Sequence, residues 1–320
     1  MRTARRRRSV RRGRGRRHRY DLLLLVLFLG SFAICLVPVI ELARTDAQAR
    51  QAVSSMSCAV DATFDESRMD ALSQAQRYNE ALCGAAYNSE SHLGGGNGGN
   101  DDVLQVASRT EGEPLLPYDE QLRWRDGAGM CWLEIPRLEL KEVVYHSTSD
   151  EALSMGVGHV EWSSLPIGGL PSHCVLAAHS GMQQALMFDQ LDLLKEGDTF
   201  TVHTLGDAYQ YRVFAVETVL PDQAQDRCAI VPGDDLCTLM TCTPYGINTH
   251  RLLVHGRRCA FDASPAPQRM TLERAAHNRH IYPLALLCVS SCMPLGARVA
   301  SAVLRRIRSR RVSHKTWRDY

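Results

Sequence analysis

The sequence predicts an all-β domain carried between two membrane-spanning helices. From Met130 to residue 262 the chain consists of short β-type runs, "CWLEIPRLELKEVVYH", "HCVLAAH", "TFTVHTL", "YQYRVFAVETVL", "CTLMTCTP" and "HRLLVHGRR". Clusters of Gly, Pro, Asp and Asn separate them, which is the texture of a sandwich or barrel. Two apolar runs, Leu22 to Ile40 and Ile281 to Leu304, stand on either side. Charge is segregated in the same way. Residues 1–20 hold 11 of the 37 basic side chains and residues 305–320 hold 7, which leaves 19 basic against 34 acidic residues between them. A middle that is net −15 argues against a nucleic-acid arm and for cytoplasmic membrane flanks.

Taken in order, residues 1–20 form a basic cytoplasmic tail and 21–42 a transmembrane helix. The 19 uncharged residues from Leu22 to Ile40 suffice, at about 1.5 Å per residue, to cross a hydrocarbon core of about 30 Å. A cleaved signal peptide is the rival reading, but "VPVIELARTDAQA" offers only a weak small-residue cleavage site. Residues 43–91 read as a helical stalk, with Met69, Leu72, Ala75 and Leu82 near one face and Asp65 or Ser67 able to cap. Residues 92–129 hold the glycine-rich connector "HLGGGNGGNDD" and a segment discussed below. The β domain occupies 130–262, a linker 263–280, a second transmembrane helix 281–304 and a second basic tail 305–320. Pro283, Pro294 and Arg298 weaken that second span, and a buried soluble helix is its rival; "RRIRSRR" behind it favours the membrane. Both ends then lie in the cytoplasm and the β domain outside the cell.

The stretch "TLMTCTPYGINTHR" carries the chemistry. Cys242 ends an apolar strand, a Pro-Tyr-Gly turn follows, and Arg251 opens the next strand. That separation lets an antiparallel pair bring the two side chains together. Side chains alternate along a strand, so Thr238, Met240 and Cys242 share a face, as do Arg251, Leu253 and His255. His250 therefore points away from Arg251. Among the histidines, His179 is the best partner for a cysteine nucleophile, because it ends "CVLAA" where "HSGM" turns. His255 is second, about 13 Å along the strand from Arg251. His159 and His173 stand in turn-like contexts and read as solvated or structural. Thr241 and Thr243, beside Cys242, are candidate groove residues.

A zinc site is the competing use of Cys237, Cys242, His250, His255 and Cys259. Spacings of five put Cys237 opposite Cys242 and His250 opposite His255 on extended strands, so no metal and no cofactor is expected. Cys58 with Cys83, and Cys228 with Cys237, are possible disulfides whose connectivity the sequence does not establish.

"TLMTCTPYGINTHRLLVHGRR" resembles the signature of class C sortases, the pilin-polymerising cysteine transpeptidases of Gram-positive bacteria. The resemblance continues through "YNEAL", "IPRLELKEVVYHSTSDEALSMGVGHVEWSSLPIGG", "HCVLAAHSG" and "MFDQLDLLKEGD" and covers most of residues 78–300, the two-span layout included. It implies an eight-stranded β-barrel with Cys242 as nucleophile, His179 as acid/base partner and Arg251 as oxyanion stabiliser. It also implies cleavage of an LPXTG-like sorting signal between Thr and Gly through a thioester on Cys242. The acyl group then passes to an amine, a pilin lysine in class C, or a cell-wall precursor where the enzyme anchors surface proteins. The loop Asp222 to Asp234 is expected to line the groove. Two departures stand out: His179-Ser180-Gly181 where many members have His-Arg-Gly, and Glu113-Pro114-Leu115 where the family's lid carries Asp-Pro-aromatic. A lid without its ring is expected to open easily.

Overall fold

The computed structural model describes residues 26, 29–33, 36–37, 40–41, 43–59, 65–91, 115–123, 129–180, 187–244 and 246–262. The chain divides into two compact units, residues 1–41 with 272–320, and residues 42–271. In the first unit the described residues are helical. Among the described residues no helix is long and apolar enough to cross a membrane. The span expected over 21–42 lies partly outside the described residues, and the span over 281–304 lies wholly outside them.

The second unit is built on eight strands: β1 (Cys131–Ile135), β2 (Leu140–Tyr145), β3 (Val157–His159), β4 (Ser172–Ala177), β5 (Thr199–Thr204), β6 (Asp207–Val219), β7 (Asp235–Thr243) and β8 (His250–Arg258). They close into a barrel in the order β1-β2-β3-β4-β7-β8-β6-β5, the eight-stranded barrel expected. Closure pairs β1 with β5 and leaves the sheet without a free edge. Alternation fills the inside. Leu133 and Ile135 of β1, Leu176 of β4, Phe200 and Val202 of β5, Tyr211 and Val213 of β6, Leu239 of β7, and Leu252 and Val254 of β8 form one buried cluster. Gly256 continues the inward row of β8. A Cβ there would stand 2.7 Å from the Phe200 ring, so glycine makes room for the stacked Phe200–Tyr211 pair.

The residues expected to form a stalk are two helices in the same unit, α1 (43–59) and α2 (Asp65–Ser91). Val53 and Met56 of α1 pack on Val143 of β2. α2 buries Ala75, Tyr78 and Leu82, the i, i+3, i+7 spacing of a helix laid on a core. Leu72 packs at the margin, but Met69 is 71% exposed, so the buried stripe is shifted from the expected one. Asn79 fixes the helix by donating to the Leu165 carbonyl (3.2 Å) and accepting from the Leu165 amide (2.7 Å).

One short helix, α3 (Asp150–Met155), capped by Ser149, leads into β3. A second, α4 (Ala224–Arg227), lies in the connection between β6 and β7. That connection covers the outer face of the wall: its Ala224 and Cys228 join Val175, Ala177, Val219 and Leu253 in a second buried cluster. The outward side of β4, β7 and β8 therefore carries its own small core.

Candidate active site

β7 lies between β4, to which it is parallel, and β8, to which it is antiparallel. In the antiparallel register Cys242 stands directly opposite Arg251. Residues so paired hold their Cβ atoms about 4.5–5.5 Å apart on one face of the sheet. The turn Pro244–Thr249 sets this register, with Ile247 and Asn248 both donating to the Pro244 carbonyl at 3.0 Å. Arg251 donates to the His250 carbonyl at 3.3 Å and, among the described residues, meets no carboxylate. Among the described residues its other donors meet no side-chain partner.

The parallel register brings in the third residue. Val175 pairs with Thr238 and Ala177 with Met240, and the Ala178 amide donates to the Met240 carbonyl at 3.2 Å. Carried two residues beyond its last pair, this register sets His179, the next outward position after Ala177, against Cys242. Two side-chain bonds lock these strand ends: the Thr241 hydroxyl donates to the Ala178 carbonyl (2.8 Å) and the Ser180 hydroxyl to the Cys242 carbonyl (2.5 Å). His179, Cys242 and Arg251 are each half-buried, hence reachable. Three strand ends thus present an imidazole, a thiol and a guanidinium at one end of the outer face.

The other sequence-derived candidates separate. His255, second choice as the cysteine's partner, is buried against Thr238 and Glu217. His159 and His173 are strand residues that are buried, not solvated. His159 donates from Nε2 to the Ser164 carbonyl (2.9 Å), and its Nδ1 accepts from the Tyr118 hydroxyl (2.9 Å); burial pushes it down to about 4. This bond and that from the Ser147 amide to Tyr118 (3.0 Å) pin the chain just after the lid candidate. Of that candidate, Leu115 is half-buried against the main core; Glu113 and Pro114 lie outside the described residues. Thr241 is buried and holds Ala178, so it braces the strand end instead of lining a groove; Thr243 is half-buried opposite His250.

All eight cysteines among the described residues are free. Cys228 and Cys237 do not pair for a reason of parity. Cys237 points into the main core beside Cys174, whereas Cys228 belongs to the outer cluster. Ser180 was not singled out as a site residue by sequence reasoning; the signal was its place directly after His179.

A family search matches the Sortase domain over residues 133–259. Among solved structures, the chain is similar to sortase C1 of Streptococcus agalactiae at 34% identity and a TM-score of 0.55, covering 66% of this chain and 100% of that one. It is also similar to a Clostridium perfringens sortase C determined with the C-terminal cell wall sorting motif, at 32% identity and a TM-score of 0.53, covering 67% and 100%. Sortase A of Bacillus anthracis is 28% identical over 127 residues, 39% of this chain; the chain spans 57% of that relative's length.

Proposed function

The chain belongs to the sortase family, and from that premise we propose that it is a cysteine transpeptidase with Cys242 as nucleophile. The observation that carries the reading is the cross-strand pairing of Cys242 with Arg251, with the His179 segment tied to the same strand end. The Cys242 thiolate attacks the carbonyl of the scissile Thr-Gly bond in an LPXTG-like signal. Negative charge then collects on that carbonyl oxygen, where Arg251, permanently charged and held among the described residues only to the His250 carbonyl, offers donors. Protonated His179 gives its proton to the departing glycine amine as the C–N bond breaks, which leaves a thioester. An incoming amine attacks the thioester, His179 takes the proton, and the thiolate is released as the new amide forms.

The incoming amine is a pilin lysine, so that the product is an isopeptide-linked fibre; the similarity to two sortases C favours this over anchoring to a cell-wall precursor. The sorting signal lies across the Cys242 end of the outer face of β7, beside the connection 220–234 that covers the rest of that face. We place the protein in the cell membrane with two spans over 21–42 and 281–304, both termini cytoplasmic and the barrel outside; the basic flanks of the two apolar runs support this.

The test is a fluorogenic sorting peptide with hydroxylamine as acceptor. Wild type releases product and forms hydroxamate, and Cys242→Ala does neither. Turnover by Cys242→Ala at the wild-type rate would overturn the assignment. A purified pilin subunit with its own lysine then separates the two acceptors, since a ladder of covalent multimers comes only from polymerisation.

A further inference from the structure

Four residues up β7 from Cys242, about 13 Å along the strand, the outer face holds a second group of side chains that the proposed chemistry does not use. His173 of β4, His255 of β8 and Cys228 of the β6–β7 connection are all buried. Their inward atoms lie within 4.8 Å of one another. At the centre stands the Thr238 hydroxyl, 2.7 Å from His173 Nε2 and 2.8 Å from His255 Nδ1.

The outward nitrogens decide the proton count. His173 Nδ1 lies 2.8 Å from the Ala229 carbonyl, which can only accept, so Nδ1 carries the proton and Nε2 presents a lone pair. His255 Nε2 lies 3.1 Å from a Glu217 carboxylate oxygen and donates to it, so in the neutral ring Nδ1 also presents a lone pair. Two imidazole lone pairs thus face one hydroxyl that owns one proton. The hydroxyl satisfies one of them; the other faces oxygen in a buried place. A cation at the centre satisfies both and recruits the third donor, the Cys228 sulfur.

We infer that His173, Cys228 and His255 form a binding site for a thiophilic divalent cation, zinc(II) by its chemistry. Two imidazoles and one thiolate are a zinc donor set with a fourth position left over. Histidine ligands hold their second ring nitrogen on a carbonyl or a carboxylate, and here both partners stand in place before the ion arrives. Binding expels the Cys228 thiol proton to solvent, and the thiolate with the Glu217 carboxylate balances the two positive charges. Arg227, 3.9 Å from the far oxygen of Glu217, holds that carboxylate from outside. Zinc–ligand bonds of about 2.0–2.3 Å draw the three side chains together, and Thr238 rotates its hydroxyl aside. Because Cys228 belongs to the connection and both histidines to the wall, the ion staples the connection onto the barrel.

The test uses full-length Cys242→Ala protein, in which the half-buried thiol beside His179 cannot compete. Titration with cobalt(II) is expected to give the near-ultraviolet thiolate-to-metal band and the visible bands of a four-coordinate ion, saturating at one equivalent. Cys228→Ser abolishes the near-ultraviolet band, and His173→Gln or His255→Gln weakens binding at least about tenfold, the loss of one ligand. A missing band, or one that persists unchanged in Cys228→Ser, overturns the site. Should Cys228→Ser fail to fold, the unfolding midpoint of Cys242→Ala alone decides. At zinc a hundredfold above its dissociation constant the midpoint should rise by about 5–10 °C; no shift at millimolar zinc overturns the proposal.

Discussion

Ser180 offers the sharpest test of how the proposed reactive residues are held. Three ties join the end of β4 to β7 around His179: the Ala178 amide to Met240 at 3.2 Å, the Thr241 hydroxyl to Ala178 at 2.8 Å and the Ser180 hydroxyl to Cys242 at 2.5 Å. Ser180→Ala removes the tie that bears on Cys242 itself. A neutral hydrogen bond contributes about 0.5–1.5 kcal/mol net, and water can replace this half-exposed one, so the cost lies at the low end of that range. At about 2–4 °C per kcal/mol for a domain of this size, the melting midpoint falls by only about 1–4 °C. Turnover is more sensitive, because a displacement of about 1 Å between reacting groups costs about a hundredfold. With two of three ties retained, kcat should fall about tenfold and KM should stay within about twofold, since no groove contact is lost. Steady-state cleavage of the sorting peptide measures both constants, and calorimetry measures the midpoint. Ser180→Thr keeps the hydroxyl and should restore kcat. Wild-type kcat in Ser180→Ala, or the same loss in Ser180→Thr, would refute the positioning argument.

Further outcomes follow from other contacts. Arg251→Lys keeps the charge but loses the forked donor, and should lower kcat about 10²–10³-fold in the peptide assay with the melting midpoint nearly unchanged. Arg137 and Asp198 pair at 3.2 Å with side chains only 10% and 11% exposed; Arg137→Ala strands a buried carboxylate and should cost about 3–5 kcal/mol in urea unfolding, much of it recovered in the double variant with Asp198→Ala. Glu142 is raised from 4.5 to about 7, first by burial and then by Asp46 of α1. The folded chain keeps that proton where the unfolded chain has lost it, so this group's contribution to stability declines as pH rises from 4.5 towards 7 and is flat above. Glu142→Gln should remove that slope in urea titrations run across the range. Tyr118→Phe leaves His159 Nδ1 and the Ser147 amide without their partner and should cost about 1–3 kcal/mol, read as a lower urea midpoint.

The parts of the site legible in the sequence are those governed by alternation within one hairpin. Cys242 faces Arg251 because nine residues with a Pro-Tyr-Gly turn fix the register, and the same parity separates Cys237 from Cys242. Contacts that cross between distant strands carried no local signature. Nothing in "HCVLAAH" reveals that His173 meets Thr238 and His255, since that depends on β4 lying parallel to β7. Cys228 reads like a loop cysteine free to pair, yet the connection folds back and buries it on the outer wall. On α2 the stripe that meets the core runs through Ala75, Tyr78 and Leu82 and leaves Met69 exposed, because the first turn reaches the barrel through Arg68, 4.0 Å from Asp207. Polar hubs such as Tyr118 are invisible in composition, because one hydroxyl serves three segments that only the closed barrel brings together.

The parallel pairing of β4 with β7 has a further bearing on the life of the chain. Residues 179 and 242 lie in segments with two strands and a long connection between them, so neither meets the other until synthesis has passed β7 and the wall has shut. Until then the Cys242 thiol lacks the His179 imidazole opposite it. Competence to cut and join other chains therefore arrives late, as a property of the finished molecule, and its own emerging neighbours are spared.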